Sequence, residues 1–214
     1  MKAKTIRGAS SLEIQGELIN SLKDGFQATL AIVFISIEQD RKAIVDILSD
    51  LNIEIIGATS SGEFIDGHQS EGEMVVMLLD IHKDHYRILL EDIGQKSVEE
   101  STNHMVEQAF QTFQKPAFIL LTTLIKSDGV FLDGEGVVDF MEKTAGPDIT
   151  MFGGMAGDDI SFTGTWVFTN HKTTDYGMAA LVLNEEKIAL QGLAFSGWKP
   201  MGVSRTVTKS EGNS

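Results

Sequence analysis

Ala28-Thr-Leu-Ala-Ile-Val-Phe-Ile-Ser-Ile37 is the stretch that decides the fold. Nearly every position is apolar, and an apolar run without alternation is the pattern of a strand covered on both faces. Ala117–Ile125 repeats the pattern. A helical segment follows each run. Asp40 caps one whose Ile44, Ile47, Leu48 and Leu51 form a single stripe. A Gly- and Asp-rich loop over Ser127–Gly136 leads into the other, which carries Val137, Val138, Phe140 and Met141 and stops at Gly146-Pro147. Short apolar strands come next, Ile53–Ile56 and Ile149–Phe152, and each enters a run of small residues. Strand, helix and strand in that order predict an α/β fold with mixed β-sheets flanked by helices.

The small-residue runs are Ile56-Gly-Ala-Thr-Ser-Ser-Gly-Glu63 and, about 95 residues later, Met151-Phe-Gly-Gly-Met-Ala-Gly-Asp-Asp159. Side chains this small let a ligand or another backbone approach closely. Strands Glu73–Ile81 and Tyr86–Ile93 follow the first run, after a polar stretch over Asp66–Gly72. Strands Thr165–Thr169, Gly177–Leu183 and Lys187–Phe195 follow the second. Ala31–Ser36 then aligns with Phe118–Thr123, Gly57–Glu63 with Gly153–Asp159, Glu73–Leu79 with Gly177–Leu183, and Arg87–Ile93 with Ile188–Phe195. The expectation is one domain over 1–214 built from similar β-α-β-β-β halves, 26–95 and 116–196, related by a pseudo-twofold duplication. Two further helices are expected. Ser10 or Ser11 caps one with Ile14, Leu18 and Leu22 on a face, and Ser97-Val-Glu-Glu100 opens one carrying Val98, Met105, Ala109, Phe110 and Phe113.

Composition narrows the function. Seventeen basic against 31 acidic side chains give a formal charge of −14, which repels phosphate backbones and anionic lipid and argues against nucleic acid and membrane partners. With no cysteine there is no disulfide, thiol nucleophile or thiolate metal site, a composition that fits a reducing, cytoplasmic setting. No apolar run reaches the roughly 18 residues of a membrane span, and no apolar core follows the basic start Met1–Arg7, as a signal peptide requires.

Gly57-Ala-Thr-Ser-Ser-Gly62 has the glycine spacing of a phosphate loop, but Glu63 stands where that loop needs Lys, and a strand follows rather than a helix. Gly153-Gly-Met-Ala-Gly157 lacks the following helix of a dinucleotide fingerprint and runs into Asp158 and Asp159. Ser60 and Ser61 do not sit in the G-x-S-x-G elbow of a serine hydrolase, and no partner histidine is evident. Asp80, His82, Asp84 and His85 read as a solvated turn rather than a metal cluster. Of Asp158 and Asp159, one is expected to close an Asx-turn and the other to face a ligand. Trp198 reads first as a core anchor and second as a ligand platform, and Lys199 as solvated.

Taken together, Gly57–Glu63, Gly153–Asp159, Phe162, the strand at Phe168, Gly197-Trp-Lys-Pro-Met-Gly202 and Val207–Asn213 resemble the N-terminal FIST domain family. The resemblance spans nearly the whole chain in order. It implies a sensory input module of bacterial signal transduction, with amino acids or similar polar metabolites as proposed ligands and no assigned reaction. It also implies a C-terminal companion domain that this chain does not contain. Ala58 stands where family members often carry Cys.

The expected function is therefore a small-molecule-binding sensory domain without metal or cofactor. Its pocket is expected between the small-residue runs, lined by Thr59, Ser60, Ser61, Gly62, Gly153, Gly154, Asp158, Asp159 and Trp198. Expected partners are the ligand, the companion domain or an output protein, and a second copy through an unpaired edge around Arg205–Lys209. The alternatives are a hydrolase using Ser60 or Ser61, and a scaffold in which the glycines only permit tight packing.

Overall fold

A computed structural model describes residues 1–193, 199–206 and 208–209. Along the chain the elements are β1 (Lys2–Gly8), α1 (Ser11–Leu22), β2 (Leu30–Ser36), α2 (Arg41–Asp50), β3 (Glu54–Ser60), β4 (Glu63–Ile65), β5 (His68–Ser70) and β6 (Met74–Asp80). Then come β7 (Tyr86–Asp92), α3 (Val98–Thr112), β8 (Pro116–Thr122), α4 (Gly134–Ala145), β9 (Met151–Met155), β10 (Val167–Thr169), β11 (Thr173–Thr174) and β12 (Gly177–Asn184).

Two mixed sheets pack face to face with helices outside, as the strand patterns dictate. In β2, Ala31, Val33 and Ile35 face the layer holding Ile14 and Leu18 of α1 and Ile44 and Leu48 of α2. The alternate residues Leu30 and Ile32 face the second sheet, where they meet Tyr86, Leu121 and Leu181. β8 mirrors this: Phe118 and Leu120 pack under Met105 and Val106 of α3 and Val137 and Met141 of α4, while Ala117 and Leu121 face inward. A period of two with both faces covered is why these strands read as unbroken apolar runs.

The first sheet has the order β1-β6-β2-β3-β10-β11 and the second β7-β12-β8-β9. In each, a parallel pair (β2–β3, β8–β9) is flanked by an antiparallel strand (β6, β12), which pairs antiparallel with an outer strand (β1, β7). After β9 the chain leaves the second sheet, places β10 antiparallel against β3, and returns as β12.

Helix starts follow their caps. Ser10 Oγ accepts from Glu13 N at 3.3 Å, Asp40 Oδ1 from Ala43 N at 3.1 Å, Ser97 Oγ from Glu100 N at 3.0 Å and Asp133 Oδ1 from Gly136 N at 3.0 Å.

Four sequence expectations change. The strand Lys187–Phe195 does not form: 187–193 lie outside any strand, and 194–195 are beyond the described residues. Both edges of β12 are already taken by β7 and β8, and Ile188 and Leu190 satisfy their apolar character by packing on the inter-sheet core unpaired. Arg205 and Thr206 belong to no strand, and Val207 lies outside the described residues. Gly153 and Gly154 sit inside β9 rather than in a loop; a Cβ on Gly153 would stand 1.8 Å from Leu120 O, so glycine permits the strand approach. Finally, the polar stretch after Glu63 is the hairpin β4–β5, turned by Asp66 and Gly67 at φ 49° and 79°.

Candidate functional site

The carboxyl ends of the parallel pair β2–β3 form a polar corner. Parallel register sets Ser36 beside Ser60. The segment leaving β9 crosses to this corner: Gly157 N donates to Thr59 O at 2.9 Å, and Asp159 N donates to Ser61 Oγ at 2.9 Å. Ser36 Oγ donates to Asp159 Oδ2 at 2.6 Å, closing the join. The two small-residue runs therefore meet in direct contact. Gly157 is where they touch, since a Cβ there would stand 2.3 Å from Ser61 Oγ.

The expected site residues divide by role. Thr59 is buried and structural: its N–H donates to Trp166 O at 2.9 Å, and its Oγ1 accepts from Trp166 N at 3.0 Å. Asp158 is buried and holds the following loop, with Oδ2 accepting from Thr163 N at 2.8 Å and Gly164 N at 3.3 Å. Asp158 thus bonds the backbone five and six residues on, a wider loop closure than an Asx-turn, while Asp159 bonds across to Ser36 and Ser61. Gly153 and Gly154 belong to the exposed strand β9. Trp198 lies outside the described residues. Ser60, Ser61, Gly62 and Asp159 remain at the corner surface, where the N–H groups of Ser61 and Gly62 have no acceptor among the described residues.

Ser60 Oγ donates to Glu63 Oε1 at 2.6 Å, and Glu63 Oε2 accepts from Glu73 N at 3.1 Å, tying the end of β3 to the start of β6. Burial raises the Glu63 carboxyl above the ordinary value; the hydrogen bonds from Ser60 and Glu73 N oppose this, and the charges of Asp159 and Glu73 add to it.

Sequence reasoning missed Arg41. As the first residue of α2 it opens onto the same corner, and its guanidinium lies 4.8 Å from the centroid of the Trp166 ring, with no carboxylate in ion-pair range among the described residues. Burial lowers its pKa, with Asp40 opposing. The cue in the sequence was an Arg directly after a capping Asp behind a buried strand, which places a cation at a strand's carboxyl end.

The loop beyond Asp158 is strained. Asp159, Ile160 and Phe162 have φ of 54°, 61° and 52°, while the Ile160 and Phe162 side chains are 77% and 60% exposed. A β-branched residue at positive φ is a true outlier, costing of order 1–2 kcal/mol. His82 and His85 lie around the turn Lys83–His85 with ring centroids 5.1 Å apart, and no group of three potential metal ligands occurs among the described residues.

The family model described as the FIST N domain matches residues 29–214, nearly the whole chain and all of this corner. The chain belongs to the FIST N domain family. FIST domains are sensory domains of signal transduction rather than an enzyme family. Comparison with curated proteins finds no match. Among its described residues this FIST domain has no helix long and apolar enough to cross a membrane.

Proposed function

We propose that this FIST domain is an input module that recognises an amino acid or a similar small polar metabolite at the corner formed by Arg41, Ser60–Gly62 and Asp159. The observation that carries the reading is Arg41, a half-buried guanidinium stacked on Trp166 without a carboxylate partner among the described residues, in a chain of formal charge −14. Partly desolvating a cation in an acidic protein is costly unless something anionic completes it. A ligand carboxylate suits the planar fork, and the N–H groups of Ser61 and Gly62 supply further donors. Asp159 Oδ1, without a partner among the described residues, suits an ammonium. The strained loop 159–162 supports the same reading, because backbone strain concentrates at functional sites.

Thermal unfolding against a panel of amino acids tests it. A ligand at 100 times its Kd adds about 2.7 kcal/mol, or about 5–10 °C for a chain of this size. Arg41→Gln abolishes that shift while leaving the unliganded melting temperature within a few degrees. No shift anywhere in a broad panel of carboxylate metabolites refutes the reading.

A second reading has one observation behind it: Ser60 Oγ lies 2.6 Å from a carboxylate, within reach of a base. Glu63 is committed to Glu73 N, and no histidine is hydrogen-bonded to Ser60 Oγ among the described residues, so we place catalysis behind sensing. The direct contact of the two runs at Gly157 supports the scaffold alternative only for the space between them, since the Arg41 side of the corner stays outside that contact. We further propose a cytoplasmic module without cofactor, paired with a companion or output domain and not with nucleic acid or membrane. We also propose an internal duplication, with units running from β1 to β6 and from β7 to β12 in place of the expected 26–95 and 116–196, because β7 pairs with β12 in the second sheet. That choice rests on the shared sheet orders β1-β6-β2-β3 and β7-β12-β8-β9.

A further inference from the structure

β1 ends the first sheet, and its outer edge pairs with no strand among the described residues. This edge is not bare to solvent on both sides. It forms the floor of a groove of about 700 Å³ whose walls are α1 on one side and the β4–β5 hairpin on the other. Side-chain parity builds the groove. Ile6 points into the core beneath α1, while Thr5 and Arg7 point the other way, toward Asp66 and His68 of the hairpin. The floor runs from Thr5 to Gly8, about 13 Å of strand at ~3.3 Å per residue, a length that suits about four residues of added chain. Gly16 opens the helical wall, because a Cβ there would meet nothing within 4 Å.

The lining is acidic. Glu13, Glu17 and Asp66 line the groove, Arg7 is the only formally positive side chain among the described lining residues, and Arg7 is committed to Glu73 at 3.3 Å. Glu17 is exposed and has no partner among the described residues. An unpaired strand edge recessed between a helix and a hairpin satisfies main-chain donors and acceptors with another strand, and the walls then select its side chains. We propose that this groove binds an extended basic peptide segment of a partner protein by strand addition to β1. Main-chain hydrogen bonds to the β1 edge give the register, and Lys or Arg side chains of the segment pair with Glu17 and its acidic neighbours.

The test uses the whole chain and a fluorescein-labelled peptide of about six residues alternating Lys and Val, with a matched Glu/Val peptide as control. Anisotropy is expected to show saturable binding of the Lys/Val peptide that weakens with salt. The Glu/Val peptide should bind at least about tenfold more weakly. Gly16→Phe fills the groove at a site where the helix gains from losing glycine, and Glu17→Lys reverses the wall charge; each lowers affinity about tenfold or more. Those backbone amides of Thr5–Arg7 that point away from β6 gain hydrogen-exchange protection when the peptide is bound. No binding up to millimolar peptide, equal binding of the two peptides, or unchanged affinity in a folded Gly16→Phe overturns the proposal. A dimer that Gly16→Phe splits also overturns it, because the edge would then belong to a second copy.

Discussion

Gly57→Ala is the sharpest probe of how the two halves of the chain are joined. Gly57 lies directly opposite Phe168 in the antiparallel pair β3–β10, and the ring folds over it. A Cβ at Gly57 would stand 2.4 Å from Phe168 Cζ, 2.5 Å from Cε2 and 3.0 Å from Cε1. Ordinary contact needs ~3.5 Å, so the ring must retreat by roughly 1 Å. It has nowhere to go: Phe168 is 2% exposed and packed into the core under α1 and α2. Overpacking of this kind costs about 1–3 kcal/mol, against which a Gly→Ala change restores about 0.4–1 kcal/mol by restricting the unfolded chain. The net expectation is a loss of about 1–2 kcal/mol in urea titration, or a melting temperature lower by about 2–8 °C. Phe168→Leu alone costs about 1–2 kcal/mol by lost burial, yet it vacates the space the new methyl needs. In that background Gly57→Ala should cost less than about 0.5 kcal/mol, giving a coupling of about 1 kcal/mol. Strict additivity, or a Gly57→Ala single variant within about 0.5 kcal/mol of the parent, would refute the reasoning.

Three further outcomes are expected. Because burial raises Glu63, the folded chain holds this proton more tightly than the unfolded chain; the resulting stability is complete below the ordinary value of 4.5 and is lost as pH rises through the raised one. Urea midpoints should fall for the parent as pH rises above 4.5, and fall less for Glu63→Gln. Ile160→Gly removes an exposed β-branched residue from φ 61°, so it raises stability by about 1 kcal/mol; a loss of that size would mean the side chain makes contacts the structure does not show. Tyr86 of the second sheet donates its hydroxyl to Glu54 and lies 3.1 Å from Thr29 O of the first, with burial and then Glu54 raising its pKa. Tyr86→Phe leaves both acceptors without that donor and costs about 1–3 kcal/mol in thermal or urea unfolding.

The legible parts of the fold were those with long-range burial written into local composition. Leu30–Ser36 and Pro116–Thr122 are covered on both faces, so their apolar runs announced them, and Asp40 and Ser97 announced the helices they cap. β1 is hidden for the opposite reason: beside Lys2, Lys4 and Arg7 only Ala3 and Ile6 are apolar, the charged composition of an edge strand. The β4–β5 hairpin leaves little trace although Asp66-Gly67 is a strong hairpin dipeptide, because its flanking strands are three residues each. At the site, the approach of Ser61 to Asp159 followed from pairing the two small-residue runs. Arg41 did not, because its importance comes from Trp166, 125 residues away, and stacking across that separation leaves no local pattern.

The excursion of β10 into the first sheet makes the chain one indivisible object. A fragment ending at Gln95 keeps β1 to β7 and α1 and α2 but leaves the far edge of β3 uncovered, with no ring over Gly57. Each half therefore completes itself only by borrowing from the other, and the loop Asp158–Thr165 is part of the covalent link between the sheets. Asp159 is hydrogen-bonded to Ser36 in one sheet and is joined, through the short segment back to Met155, to the strand that pairs with β8 in the other. A ligand bound at this corner, as proposed above, would touch a segment that links the two layers.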